Sequence, residues 1–220
     1  MKNKIVFFDL LFYLILPYVI WKFGQDYIGD YYAILLSTAP GFVYTIIRFW
    51  LERQFNITGM FILASLLIST IVDILSGNAF NMLQNSVYVS GGFGLLFILS
   101  MFIRKPLALY FAADIAFLQG HKREDSLRLY RQKTLKPAFY ILTAIFALRG
   151  LFGAGLKQYL IGLYGVQGYD RILFFMKVNG WVFSALLAAG FIYTSLKVND
   201  YLEKQKKEAS KDEKLDEELV

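Results

Sequence analysis

Four ionisable side chains stand inside long, otherwise uncharged stretches of this 220-residue chain: Asp9, Arg48, Asp73 and Arg149. At the centre of a bilayer such a group costs about 2.5–3.5 kcal/mol on insertion scales, so it turns inward and finds a partner or marks an ion path. Asp9 and Arg48 fall near the same end of two neighbouring apolar segments, and Asp73 and Arg149 fall together in the opposite half of theirs. The spacing therefore predicts two candidate intramembrane ion pairs, Asp9 with Arg48 and Asp73 with Arg149. Each pair is a static contact, or else Asp73 belongs to a proton or substrate path; Arg48 has the further option of snorkelling to the headgroups.

Other chemistry is thinly represented. The chain has no cysteine, and His121, its one histidine, falls in a basic segment read as a solvated loop, so neither a metal site nor a Ser-His-Asp arrangement within the spans is expected. Ser90-Gly91-Gly92-Phe93-Gly94 lacks the lysine of a phosphate loop and reads as small residues for close helix contact. No catalytic set, metal or cofactor is expected.

The elements that must position these residues follow from composition. Hydrophobic residues make up 57% of the chain and charged ones 18%, against about 25% charged in soluble domains. The fold class is an all-α polytopic transmembrane bundle. A bilayer core of about 30 Å takes about 20 apolar residues per helix, and six stretches qualify: residues 4–21, 31–50, 56–76, 86–103, 138–159 and 172–196. Bulky residues running up to Lys22 offer no cleavage site, so the first is read as an uncleaved helix. Turn residues at 24–30 and 77–85 make successive spans antiparallel neighbours, and the plan is three helical hairpins. Residues 1–198 form the membrane domain; residues 199–220, alternating lysine with acidic residues, form a charged cytoplasmic tail.

Between the fourth and fifth spans the apolar run is interrupted by Arg104, Lys105 and Pro106. The two cations suit the headgroup level, and proline suits the start of a new helix because it lacks the N–H that would be unpaired there. Leu107, Phe111, Ile115 and Leu118 then recur at helical spacing, which predicts an interfacial helix within a basic loop spanning 104–136.

With the N-terminus cytoplasmic, eighteen Lys and Arg residues fall on the cytoplasmic side and four (Lys22, Lys157, Arg171 and Lys177) on the other. The positive-inside rule then places both termini in the cytoplasm. The net charge of +6 reports orientation and attraction of the basic loop to anionic lipid. A nucleic-acid partner is not expected.

Small residues recur every fourth position in three spans: Ser37, Gly41 and Thr45; Ser86, Ser90 and Gly94; Gly180, Ser184 and Ala188. Such stripes let backbones approach closely in lipid, which predicts an inner seam formed by the second, fourth and sixth spans.

Pro17, Pro40 and Tyr44, the run from Asn85-Ser86 to Leu99-Ser100 followed by Lys105-Pro106-Leu107, and Leu142-Thr143 together resemble an uncharacterised family of small bacterial six-helix membrane proteins. That family is distantly similar to intracellular septation protein A. The resemblance implies the bacterial cytoplasmic membrane and supplies no reaction. The septation proteins have fewer helices, so their role does not carry over. Three classes of function stay open. The scarcity of polar residues in the spans favours a non-catalytic envelope or partner-binding protein. A small-solute or ion transporter would use Asp73 and Arg149 in a hydrated cavity, with Pro40-Gly41 as a helix break. An intramembrane enzyme ranks third.

Overall fold

The computed structural model describes Phe8 and residues 10–51 and 56–218, with side chains through Glu208 and at Ser210. After a π-helical turn at Leu11–Ile15, the helices are α1 (Leu16–Leu51), α2 (Ile57–Leu75), α3 (Ala79–Phe102), α4 (Leu107–Leu118), α5 (Arg123–Tyr130), α6 (Lys136–Tyr164) and α7 (Tyr169–Glu218). α7 carries the charged tail as helix to Glu218. Among the described residues, five helical segments, not the six expected, are long and apolar enough to cross a membrane: Leu11–Leu51, Ile57–Leu75, Ala79–Phe102, Lys136–Tyr164 and Tyr169–Glu208. Of the 19 residues of α2 only Gly59 is buried, although the helix is apolar almost throughout, so its natural surroundings are lipid. The chain is an integral, multi-pass membrane protein.

The correction lies in the N-terminal segment. Residues 24–30 do not form the expected loop between two spans. Helix continues through them and breaks at Gly29 alone (φ 77°, ψ 160°), a conformation open to glycine and strained for other residues. Tyr13 and Thr45, 32 positions apart, would be separated by about 48 Å along a straight helix, yet their hydroxyl oxygens lie 2.7 Å apart. The segment is therefore folded back on itself. Thr45 donates its single hydroxyl proton to the Gly41 carbonyl at 2.7 Å, so the Tyr13 phenol is the donor to Thr45. The Phe12 ring stacks on Tyr44 at 4.8 Å, and a Cβ on Gly41 would lie 3.0 Å from the Tyr13 ring.

The chain divides into two compact units. The first comprises residues 1–96 and 147–183. Its core gathers Trp21, Ile34, Leu83, Leu160 and Ile172, with Tyr169 edge-on to Trp21 at 5.1 Å. α3 and α6 meet here almost backbone to backbone: a Cβ on Gly150 would stand 2.8 Å from the Gly94 Cα. Ser90 donates across the same contact to the Gly150 carbonyl at 3.1 Å.

The second unit comprises residues 97–146 and 184–220. Phe146 stacks on Phe97 at 5.0 Å and is met edge-on by Phe111 at 5.6 Å. α4 is the expected short helix after Pro106, and Ala108, Leu109, Phe111, Ala113, Asp114 and Ala116 are buried on it. Thr143, fully buried, pins its start: the hydroxyl donates to the Phe139 carbonyl at 2.7 Å and accepts the Ala108 N–H at 3.3 Å.

The interruption at Arg104 has a backbone explanation. The Arg104 N–H bonds the Met101 carbonyl, the Lys105 N–H bonds the Ser100 carbonyl, and Arg104 takes the left-handed conformation (φ 61°). This is a Schellman end to α3, a position where glycine is usual. α4 ends the same way at Gly120 (φ 95°), with the His121 N–H on the Ala116 carbonyl.

Candidate functional site

Inside the first unit, a cavity of about 510 Å³ opens among Tyr13, Thr45, α2 and α3. α2 supplies Ser65, Ser69 and Asp73, spaced four residues apart and therefore stacked on one face of the helix. α3 supplies Ser86 and Ser90, again one turn apart. The remaining hydroxyls come from the Tyr13–Thr45 contact. Ile62, Leu66, Val89 and Phe93 complete the wall. A carboxylate and six hydroxyls thus converge within segments that are otherwise apolar.

Local structure holds Asp73 near the end of α2. The Tyr31 phenol contacts the carbonyls of Asp73 at 3.2 Å and Ile74 at 2.7 Å, where the helix end leaves carbonyls short of the usual i+4 partner. Ser76 donates to the Val72 carbonyl at 2.6 Å and accepts from the Asn85 amide at 2.9 Å, fastening the end of α2 to α3.

Two ammonium groups stand against the cavity wall. Lys157, half-buried on α6, donates from Nζ to the Ser86 hydroxyl and attracts the Asp73 carboxylate electrostatically. Ser86 passes its own proton to the Leu83 carbonyl at 2.6 Å, leaving its lone pairs for Lys157. Lys177, on α7, places its ammonium 5.1 Å from the centre of the Tyr13 ring, a cation–π distance. Both lysines, counted above only for orientation, pack into the unit.

The expected partner of Asp73 is elsewhere. Arg149 is exposed, and among the described residues it makes no ion pair with Asp73. Arg48 lies with its guanidinium carbon 5.9 Å from the Tyr44 ring centre, whereas Asp9 lies outside the described residues. Of the small-residue stripes, Ser37 is buried and donates to the Ile34 carbonyl at 2.6 Å, Gly41 meets Tyr13, and Ser90 and Gly94 meet α6. Ser184 and Ala188 are exposed, and nothing lies within 4 Å of where a Gly180 Cβ would be. α7 makes its close approach at Gly190, where a Cβ would stand 2.9 Å from the Leu142 side chain.

A carboxylate that sequence reasoning passed over is held most tightly. Asp114, 1% exposed on α4, accepts from Arg123 Nε at 2.7 Å. Among the described residues no group of three His, Cys, Asp or Glu side chains could hold a metal ion. The Asp73 cavity can hold a small polar or cationic species through one negative charge and several neutral hydroxyls, with a lysine near enough to compete for that charge.

No family model matches this chain, and neither a curated protein nor a solved structure matches it.

Proposed function

We propose that this membrane protein binds a small cation or polar solute at Asp73 and passes it across the bilayer, as a small transporter or permease. The observation that supports the reading is the convergence of the Asp73 carboxylate and six hydroxyls on one cavity within the spans. An envelope scaffold or partner-binding subunit needs neither a charge nor a cavity there. Lys157, hydrogen-bonded to Ser86, acts as an internal counter-charge whose attraction for Asp73 an arriving cation competes with.

The orientation is cytoplasmic for both termini, in a bacterial cell membrane. The basic excess supports it. The basic residues of 104–136 then face the anionic cytoplasmic leaflet.

The test is flux. In proteoliposomes carrying an imposed membrane potential, the intact protein should admit H⁺, Na⁺ or K⁺ faster than protein-free vesicles, and Asp73→Asn should abolish the difference. Rates equal to protein-free vesicles for all three ions, with the protein folded, would overturn cation passage.

A further inference from the structure

The second unit carries a cavity of its own, about 550 Å³, enclosed by α4, α5, α6 and the stretch of α7 from Phe191 to Leu202. This volume lies in the range of about 300–1,000 Å³ usual for small-ligand sites. Its lining is divided. Ile115, Phe139, Phe191 and Val198 present an apolar side, while His121, Lys122, Asp125, Ser126, Tyr130 and Asn199 present a polar one.

The position matches the division. α4 follows the Arg104-Lys105 turn, and α7 passes along the cavity from apolar sequence into the charged run after Lys197. The cavity thus stands where membrane-spanning sequence gives way to aqueous sequence, the level at which headgroups lie. Lys122 and Asp125 are both exposed at its polar side, and among the described residues neither is in an ion pair. A site offering one unpaired cation and one unpaired carboxylate complements a ligand that carries both charges. Burial raises the Tyr130 phenol above its ordinary value, against a smaller opposing hydrogen bond with Ser126, so it remains a proton donor at physiological pH.

We propose that this cavity binds a zwitterionic aminophospholipid: its phosphate meets Lys122 and His121, its primary ammonium meets Asp125, and its chains run along the Ile115–Phe191 wall. The site is separate from the Asp73 cavity, so either assignment can fail without the other. It is also narrower than a general attraction of the basic loop to anionic lipid, since Asp125 repels a headgroup that lacks an ammonium.

The purified full chain, stripped of lipid in neutral detergent, is titrated with short-chain phosphatidylethanolamine, phosphatidylglycerol and phosphatidylcholine, and with chain-free phosphoethanolamine, reading bound ligand by native mass spectrometry. Phosphatidylethanolamine should bind about tenfold more tightly than phosphatidylglycerol, the scale of one charge-assisted contact. Phosphatidylcholine, whose ammonium has no N–H to donate, should bind more weakly, and phosphoethanolamine weakest because it leaves the apolar wall empty. Asp125→Asn should erase the preference for the ethanolamine headgroup, and Lys122→Gln should weaken every phospholipid. Equal binding of phosphatidylethanolamine and phosphatidylglycerol by the unmodified chain overturns the proposal without recourse to a variant. Phosphoethanolamine binding as tightly as the lipid would make the ligand a soluble phosphate ester and overturn the lipid assignment.

Discussion

Asp73 and Asp114 are both carboxylates embedded in apolar helices, and the two units treat them in opposite ways. Asp114 is sealed from solvent and bonded to Arg123 at 2.7 Å. Asp73 lines a cavity among hydroxyls, with its nearest influence the ammonium of Lys157, which is itself bonded to Ser86. A carboxylate whose charge is matched at contact distance has little left to offer a ligand, and its loss strands a cation. One held among neutral donors, beside a cation that has another partner, keeps its charge available. Two chemically identical residues are thus structural in one unit and available for binding in the other.

The largest expected effect separates them by stability. Arg123→Gln, which leaves the buried Asp114 carboxylate without its cation, should cost about 3–5 kcal/mol, Asp114→Asn less because the Arg123 side chain is 32% exposed, and the double substitution less than Arg123→Gln alone. Asp73→Asn removes no ion pair and should shift stability by less than about 1 kcal/mol while abolishing flux. Thermal unfolding in detergent reads both. Equal losses at the two aspartates would erase the distinction.

Packing gives a smaller effect. A Cβ on Gly150 collides with the Gly94 backbone, so Gly150→Ala should destabilise by about 1–3 kcal/mol. Gly180→Ala meets nothing within 4 Å and should be tolerated. The seam prediction from sequence selected both Gly94 and Gly180 by the same spacing, and this pair of variants shows which one the fold uses.

Next comes the buried hydroxyl of Thr143. Thr143→Val leaves the Ala108 N–H unpaired and should cost about 1–3 kcal/mol, lowering the unfolding temperature. The smallest expected effect is a gain: Arg104 holds a left-handed conformation that costs about 1–2 kcal/mol for a residue with a Cβ, so Arg104→Gly should stabilise by about 1 kcal/mol after glycine's greater unfolded-state entropy is counted. A loss there would mean that the arginine side chain contributes more than its backbone costs.

Much of the frame was legible in the sequence because apolar run length sets helix count in lipid. α2 (Ile57–Leu75) coincides with the expected 56–76, and α6 (Lys136–Tyr164) contains the expected 138–159, whereas α7 (Tyr169–Glu218) starts near the expected 172 but continues far beyond 196. The count failed at residues 24–30, where Gly24, Asp26 and Asp30 look like a loop although helix persists and one glycine suffices to turn the chain. The α3 start was also read too late, since Ala79 already begins the helix that was placed at 86.

The Asp73 site was half legible. Asp73 stood out as a charge in an apolar run and Ser86 and Ser90 as small packing residues, but Ser65 and Ser69 did not, although they share one helical face with Asp73 by spacing alone. Lys157 and Lys177 entered the sequence reading only as charges counted toward one side; which way each side chain turns depends on tertiary packing. Asp114 went unnoticed because the segment around it was read only for its apolar period, and its partner Arg123 lies across the Gly120 turn.

The most direct test of the contrast uses the absence of native cysteine. Ser69→Cys places a thiol in the Asp73 cavity, and Thr143→Cys places one in the dry contact between α4 and α6. In native membranes, a small polar thiol reagent is expected to modify Ser69→Cys and to leave Thr143→Cys unmodified. Unreactive Ser69→Cys, or equal labelling of the two, would contradict an accessible polar cavity at Asp73.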